Sequence, residues 1–247
     1  MRFPNWRHSI LISLSLAVSL AGCSKMEGSS QAAAGTQAYE KTAQGVIVRP
    51  GKEGATPVRL EVAGDGIIRV SADPDGDFAR SPSLMRVVDD KAQTPAFEIS
   101  DKDGVVRLQT DKLSAEVALD NGRVSFFDKA GKPLLSEVAD GRRFDALQVE
   151  GKPSLSMRQR FESPDDEAFY GTGLHQQGWM NLKGRDVELL QHNIDNAVPY
   201  LVSSRNYGIL WDNNSITRYG DPRGLRPLPE SLTLYDAKGE EGALTAR

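Results

Sequence analysis

From Gly45 onward the chain alternates apolar and polar residues with a period of two. Val58, Leu60 and Val62 alternate with Arg59 and Glu61; beyond Gly64-Asp65-Gly66, Ile68, Val70 and Ala72 alternate with Arg69 and Ser71. Every second side chain of a strand shares a face, so this pattern predicts half-buried strands joined by a turn. Asp73-Pro-Asp-Gly-Asp77 breaks the alternation into a loop. Phe97 to Ser100 and Val105 to Thr110 form the next pair, across Asp101-Lys-Asp-Gly104. Leu134-Leu135, Phe144 to Val149 and Leu155 to Phe161 continue the series. No long segment past the N-terminal leader has a helical period. An all-β chain of ten or more short strands, spaced like this, predicts two packed antiparallel sheets.

Two hairpins can be assigned registers. In Leu113 to Phe127, Asn121-Gly122 suits a two-residue type I′ turn. That register sets Leu119 opposite Val124 and Val117 opposite Phe126, all on one face, and a slip of one residue would expose all four. In Tyr200 to Trp211, a turn at Arg205-Asn206 sets Tyr200 opposite Trp211 and Val202 opposite Ile209, with Leu201 and Leu210 on the other face. Apolar residues on both faces predict a strand pair covered on both sides.

The N-terminus reads differently. Arg2, Arg7 and His8 precede an apolar run from Ser9 to Leu20, shorter than the roughly 20 residues that span a bilayer. The run ends Leu20-Ala21-Gly22-Cys23. Positive charge, apolar run, small residues and a lone Cys in that order identify residues 1–22 as a lipoprotein signal peptide, with Cys23 as the lipidated residue. Buried methylenes contribute roughly 0.8 kcal/mol each, so several acyl chains anchor a protein where one does not. The expected location is the bacterial cell envelope, attached to the membrane through lipid; Ser24 favours the outer membrane. Residues 23–38 are poor in large apolar side chains and read as a flexible tether. Residues 39–236 would then be the β-sandwich and 237–247 the start of a following module.

Composition narrows the partners. With 247 residues, 39% of them hydrophobic, the chain can bury a sizeable core. A net charge of -4 gives no electrostatic case for nucleic acid. One cysteine allows no intrachain disulfide.

Candidate chemistry collects between Phe169 and Asn214, where two of the three histidines lie. Gly171-Thr-Gly173 lacks the Lys and the following helix of a phosphate loop. His175 and His192 lie apart, with no adjacent cysteine or clear carboxylate partner, so neither a metal nor another cofactor is expected. His175 reads as a structural hydrogen-bonding group, and Trp179 as a buried edge of the core, with stacking on a sugar ring as its other reading. The carboxylates of Asp89-Asp90, Asp165-Asp166-Glu167 and Glu240-Glu241 sit among turn residues. They read as solvated turns, and no catalytic residue is assigned.

Three segments carry a resemblance: Tyr170-Gly-Thr-Gly-Leu-His-Gln176, Val187-Glu-Leu-Leu-Gln-His-Asn193, and Val198-Pro-Tyr-Leu-Val-Ser-Ser-Arg-Asn-Tyr-Gly-Ile-Leu-Trp-Asp-Asn213. Together they resemble family 31 of the glycoside hydrolases, most closely its bacterial α-xylosidases. Leu174 and Asn206 depart from the commoner Glu or Gln and Gly. His192-Asn193 stands where many α-glucosidases have Arg-Asp, which points away from glucosidase specificity.

The resemblance implies an antiparallel β-supersandwich of the galactose-mutarotase type, followed by a C-terminal (β/α)8 barrel of roughly 250 residues that this chain lacks. The barrel would carry the two Asp residues of a retaining hydrolysis, with carboxyl groups about 5–5.5 Å apart, so this chain alone is expected to be inactive. The implied substrate is an oligosaccharide derived from xyloglucan. Gln191, His192 and Asn193, together with Asp195, would line the outer sugar subsite, where amides and imidazole match sugar hydroxyls. Gly242-Ala-Leu-Thr-Ala246 looks like the opening of a protective-antigen-type carbohydrate module. Two other readings are a stand-alone carbohydrate-binding surface lipoprotein and a mutarotase-like isomerase, which needs a His and a carboxylate converging on one sugar.

Overall fold

The structure, a computed structural model, describes residues 38–78, 83–85, 93–191, 193 and 195–220. The signal peptide, Cys23, nearly all of the tether, Asp89-Asp90, His192 and everything from residue 221 onward, including Glu240-Glu241 and the segment 237–247, lie outside the described residues. Among the described residues there are sixteen strands and no helix, and every strand pair is antiparallel. The all-β expectation holds.

Strands β1 (Tyr39–Thr42), β2 (Gly45–Val48), β3 (Val58–Gly64) and β4 (Ile67–Ala72) form a four-stranded meander. A five-stranded meander follows: β5 (Glu98–Lys102), β6 (Val105–Gln109), β7 (Leu113–Ala118), β8 (Val124–Asp128) and β9 (Pro133–Ser136). The inward positions of both sheets make one core. Val46, Val48, Val58, Leu60 and Val62 from the first sheet cluster with Val106, Leu108, Ala115, Val117 and Val124 from the second. This is the sandwich that the period-two pattern predicts. The register follows suit, with Val58 opposite Ala72, Leu60 opposite Val70 and Val62 opposite Ile68.

The outer face of the first sheet is polar and tied down. Arg59 Nη2 and Arg69 Nη1 each lie 3.0 Å from Glu61 Oε2, and Arg69 Nη2 reaches Asp212 Oδ2 at 3.2 Å. Ser83 Oγ donates to Asp212 Oδ1 at 2.8 Å. Asp212 follows the last strand of the apolar hairpin, so this network links the sandwich to the segment that carries the candidate site.

That later segment is built from shorter sheets. Strands β10 (Arg143–Val149) and β11 (Lys152–Arg158) make a two-stranded ribbon. Next come β12 (Phe169–Leu174), β13 (Val187–Leu189), β14 (Asn196–Ser203), β15 (Tyr207–Leu210) and β16 (Thr217–Tyr219). They form a three-stranded sheet of order β12-β14-β15 and a pair β13-β16. Phe169, Leu182, Val187 and Leu201 form a second, smaller core, joined by Leu189, Tyr207, Ile209 and Tyr219.

Both assigned hairpin registers change. Between β7 and β8 the turn is a four-residue loop: Ala118 N–H donates to Arg123 O, Gly122 N–H donates to Ala118 O, and Val117 faces Val124 while Ala115 faces Phe126. Only Gly122, and not Asn121, takes the left-handed conformation a type I′ turn requires at both positions. The shift is two residues, so Leu119, Val117, Val124 and Phe126 still share the core face. Between β14 and β15 the loop has three residues, with Asn206 left-handed at φ 69° and its N–H bonded to Ser203 O. Tyr200 then faces Leu210, and Leu201 faces Ile209. This shift is one residue, and it moves Ile209 to the face of Leu201 and Leu210 to the face of Tyr200.

Candidate functional site

The site region grows from the end of β12. Gly171, Thr172 and Gly173 all have positive φ, at 114°, 64° and 101°, and the pairing with β14 slips between Gly171 and Gly173. Side chains at the two glycines are excluded by the neighbouring strand. A Cβ at Gly171 would lie 2.4 Å from Tyr200 O, and one at Gly173 would lie 1.8 Å from Asn196 O. The glycines serve strand approach, not phosphate binding. Thr172 is buried and β-branched, an unfavourable residue for left-handed backbone. His175 Nε2 lies 2.8 Å from Thr172 O. A carbonyl oxygen only accepts, so Nε2 carries the proton and braces the bulge, which is the structural role expected of His175.

The turn closes over a cavity of about 180 Å³, lined by Gly171, Gly173, Leu174, His175, Gln177, Gly178, Trp179, Leu182 and Val187. Asn181 Oδ1 accepts from Phe169 N–H and Lys183 N–H, and Leu182 N–H donates to Phe169 O at 2.8 Å. These bonds pin the returning chain against β12. Trp179 is 40% exposed, contrary to the buried edge expected for it, and the Arg185 guanidinium lies 5.1 Å from its ring centroid. Flanked by Gly178 and exposed Met180, it has no alternating neighbours to turn it inward, and that was the legible sign of its exposure.

The β13 strand leads from the cavity wall at Val187 to Gln191. Gln191 and Asn193 are exposed on the loop between β13 and β14. Leu174 pairs with Asn196, so this loop and the glycine-rich turn leave the same end of the sheet. Asp195 is half-buried at the foot of the loop.

Behind the site, Glu167 is buried and accepts hydrogen bonds from Ser203 Oγ and, at 2.6 Å, from Tyr207 OH. Burial and this bond raise the Tyr207 phenol above its ordinary range. Burial, with the nearby Glu167 carboxylate, pushes Tyr219 up to about 12. Asp166 pairs with Arg205 at 2.9 Å on the surface, so the three acidic residues at 165–167 are not all a solvated turn: Glu167 is a buried fastener of the hairpin. No cluster of three or more His, Cys, Asp or Glu able to hold a metal occurs among the described residues.

Residues 57–219 match the family model of the glycosyl hydrolase 31 N-terminal galactose mutarotase-like domain. The chain belongs to glycoside hydrolase family 31. A family 31 α-xylosidase from Xanthomonas citri, known as a crystal structure, is 66% identical with a TM-score of 0.72, covering 77% of this chain and 20% of that one. A family 31 α-xylosidase from a soil metagenome, solved with xylose, is 25% identical with a TM-score of 0.57, covering 73% of this chain and 28% of that one. An uncharacterized family 31 glucosidase of Pseudescherichia vulneris is 31% identical over 183 residues, which is 64% of this chain and 33% of the relative. The family 31 relatives are thus much longer, and this chain spans a third or less of each of them. The expected fold, the galactose-mutarotase-like sandwich, is the family's N-terminal domain.

Proposed function

We propose that the chain is the N-terminal, carbohydrate-contacting domain of a retaining α-xylosidase that acts on xyloglucan-derived oligosaccharides. The observation that carries this reading is the 66% identity to the Xanthomonas α-xylosidase over 77% of the chain. Hydrolysis is the work of two carboxyl groups on a catalytic (β/α)8 barrel, through double displacement. The sandwich supplies the loop Gln191, His192 and Asn193, whose amides and imidazole pair with hydroxyls of the outer sugar. The barrel covers the sheet face of Tyr170, Val198, Tyr200, Val202 and Leu210, side chains that are exposed among the described residues. Lipid on Cys23 holds the protein in the cell envelope, at the outer membrane.

The test is to express the sandwich joined to the catalytic domain that its gene encodes, and to offer it xyloglucan oligosaccharides and an α-glucoside. Release of xylose in preference to glucose is the expected result; preferential release of glucose sinks the xylosidase assignment. Labelling cells with radioactive palmitate checks the anchor, and a Cys23→Ala chain that still takes up label would refute it.

A further inference from the structure

The cavity beneath the glycine-rich turn has features of a ligand site that the strand packing does not use. Trp179 lines the cavity, and 40% of it faces solvent, so part of the indole is accessible there. Arg185 sits over the ring at 5.1 Å and fixes its orientation. His175 spends Nε2 on Thr172 O, so in the neutral imidazole Nδ1 is the acceptor. Gln177 adds a neutral amide to the same wall. The lining thus offers an indole, an acceptor and an amide with no carboxylate. That set suits a neutral polyhydroxylated ring and gives no footing to a cation. The volume of about 180 Å³ admits one sugar ring rather than a chain.

Topology connects this cavity to the loop of Gln191 and Asn193. Val187 lines the cavity and begins β13, which ends two residues before Gln191. Leu174 and Asn196 pair across β12 and β14, so turn and loop emerge side by side. We propose that the cavity lined by Trp179, His175 and Gln177 is a second saccharide subsite, holding a sugar residue of the branched oligosaccharide other than the one contacted by Gln191 and Asn193. The inference rests on the carbohydrate reading proposed above. The indole stacks on the apolar face of the ring, and His175 Nδ1 accepts from a hydroxyl. A single xylose engages it weakly, because the subsite and the loop bind different residues of one ligand.

The experiment titrates the full chain with a xyloglucan heptasaccharide by calorimetry, alongside Trp179→Ala, Trp179→Phe and a Gln191→Ala/Asn193→Ala double variant. Trp179→Ala is expected to raise Kd by about tenfold or more, with Trp179→Phe between it and the unsubstituted chain. Affinity unchanged in Trp179→Ala but lost in the double variant overturns the subsite and leaves the carbohydrate reading standing. No binding by the unsubstituted chain overturns both. A readout independent of any variant's folding is oxidation of Trp179 by N-bromosuccinimide, followed by peptide mass. The heptasaccharide should slow it, and an unchanged rate at a saturating concentration also overturns the subsite.

Discussion

The sandwich core and the β12-β14-β15 sheet are both made from strands that carry Val and Leu, but they end differently. In the sandwich each apolar face meets another: Leu60, Leu108, Val117 and their neighbours are wholly buried. In the three-stranded sheet one face packs Phe169 and Leu201 against Leu182 and Val187, while on the other Tyr200 and Leu210 stay 45% and 52% exposed. The first region completes its hydrophobic burial within the described chain. Among the described residues the second completes one side only, and contiguous apolar patches of this kind are where other surfaces dock. Each region also holds a buried glutamate, and the partners differ. Arg142 Nη2 grips both oxygens of Glu137 at 2.7 Å, and Val124 N–H adds a third bond. Glu167 has hydroxyls instead.

The largest expected effects fall in the sealed region. Arg142→Ala leaves Glu137 buried without its counter-ion and is expected to cost about 3–5 kcal/mol in urea unfolding. Glu167→Gln keeps hydrogen-bonding capacity and should cost well under half of that. Equal losses would erase the contrast between the two glutamates. Burial also raises the Glu137 carboxyl above its ordinary 4.5, against the pull of Arg142. The folded chain holds that proton more tightly than the unfolded chain, so this group favours folding below pH 4.5. Its contribution fades as pH rises through the raised folded value. Unfolding midpoints of the unsubstituted chain and Glu137→Gln, measured from pH 7 down to 4, should therefore shift in favour of the unsubstituted chain as pH falls; a constant difference over that whole range would refute the shift.

Next come the apolar positions. Leu60→Ala in the sandwich is expected to cost about 2–5 kcal/mol. Val202→Ala, on the bare face, should stay within about 0.5 kcal/mol. A comparable loss at Val202 would mean that the bare face is covered in the isolated chain. Tyr200→Asp with Val202→Asp sharpens the point, since it should leave the unfolding midpoint of this chain nearly unchanged. The same pair should abolish co-purification with the catalytic domain supplied as a separate polypeptide, and retention of that complex would move the interface elsewhere.

Much of this was legible in the sequence, and the limits have a physical pattern. Alternation placed Val58, Leu60, Val62, Val117 and Val124 on the core face because side chains need only the parity of their position to find a face. Loop length was not legible from Asn121-Gly122 or Arg205-Asn206, because the same dipeptides serve loops of two, three and four residues. The error of two at Gly122 cost nothing in face assignment. The error of one at Asn206 exchanged Ile209 and Leu210, and with them the inference that both faces are covered. Of the candidate site, Gln191 and Asn193 fall on an exposed loop, and His175 braces the turn. The exposure of Trp179 was missed because a Trp is more often packed than bare, and that expectation outweighed the sign its turn did carry, the absence of alternating apolar neighbours.

The smallest effect tests the source of that exchange. Asn206 stands at φ 69°, where Asn is tolerated and Gly is unstrained, while Ala is disfavoured by its Cβ. Asn206→Gly should change stability by only a few tenths of a kcal/mol, and Asn206→Ala should cost about 1 kcal/mol. If the three-residue loop sets the register, both variants keep Leu201 opposite Ile209, seen as unchanged cross-strand contacts in amide NMR. Removing Asn206 altogether leaves a two-residue loop at Ser204-Arg205, neither of which favours the left-handed conformation. That deletion should cost more than Asn206→Ala, because the strands must either strain the turn or slip. A slip would turn Ile209 out and Leu210 in. Tolerance of the deletion with the original pairing intact would show that packing of Leu201 and Ile209 on Phe169, and not the turn, holds the register.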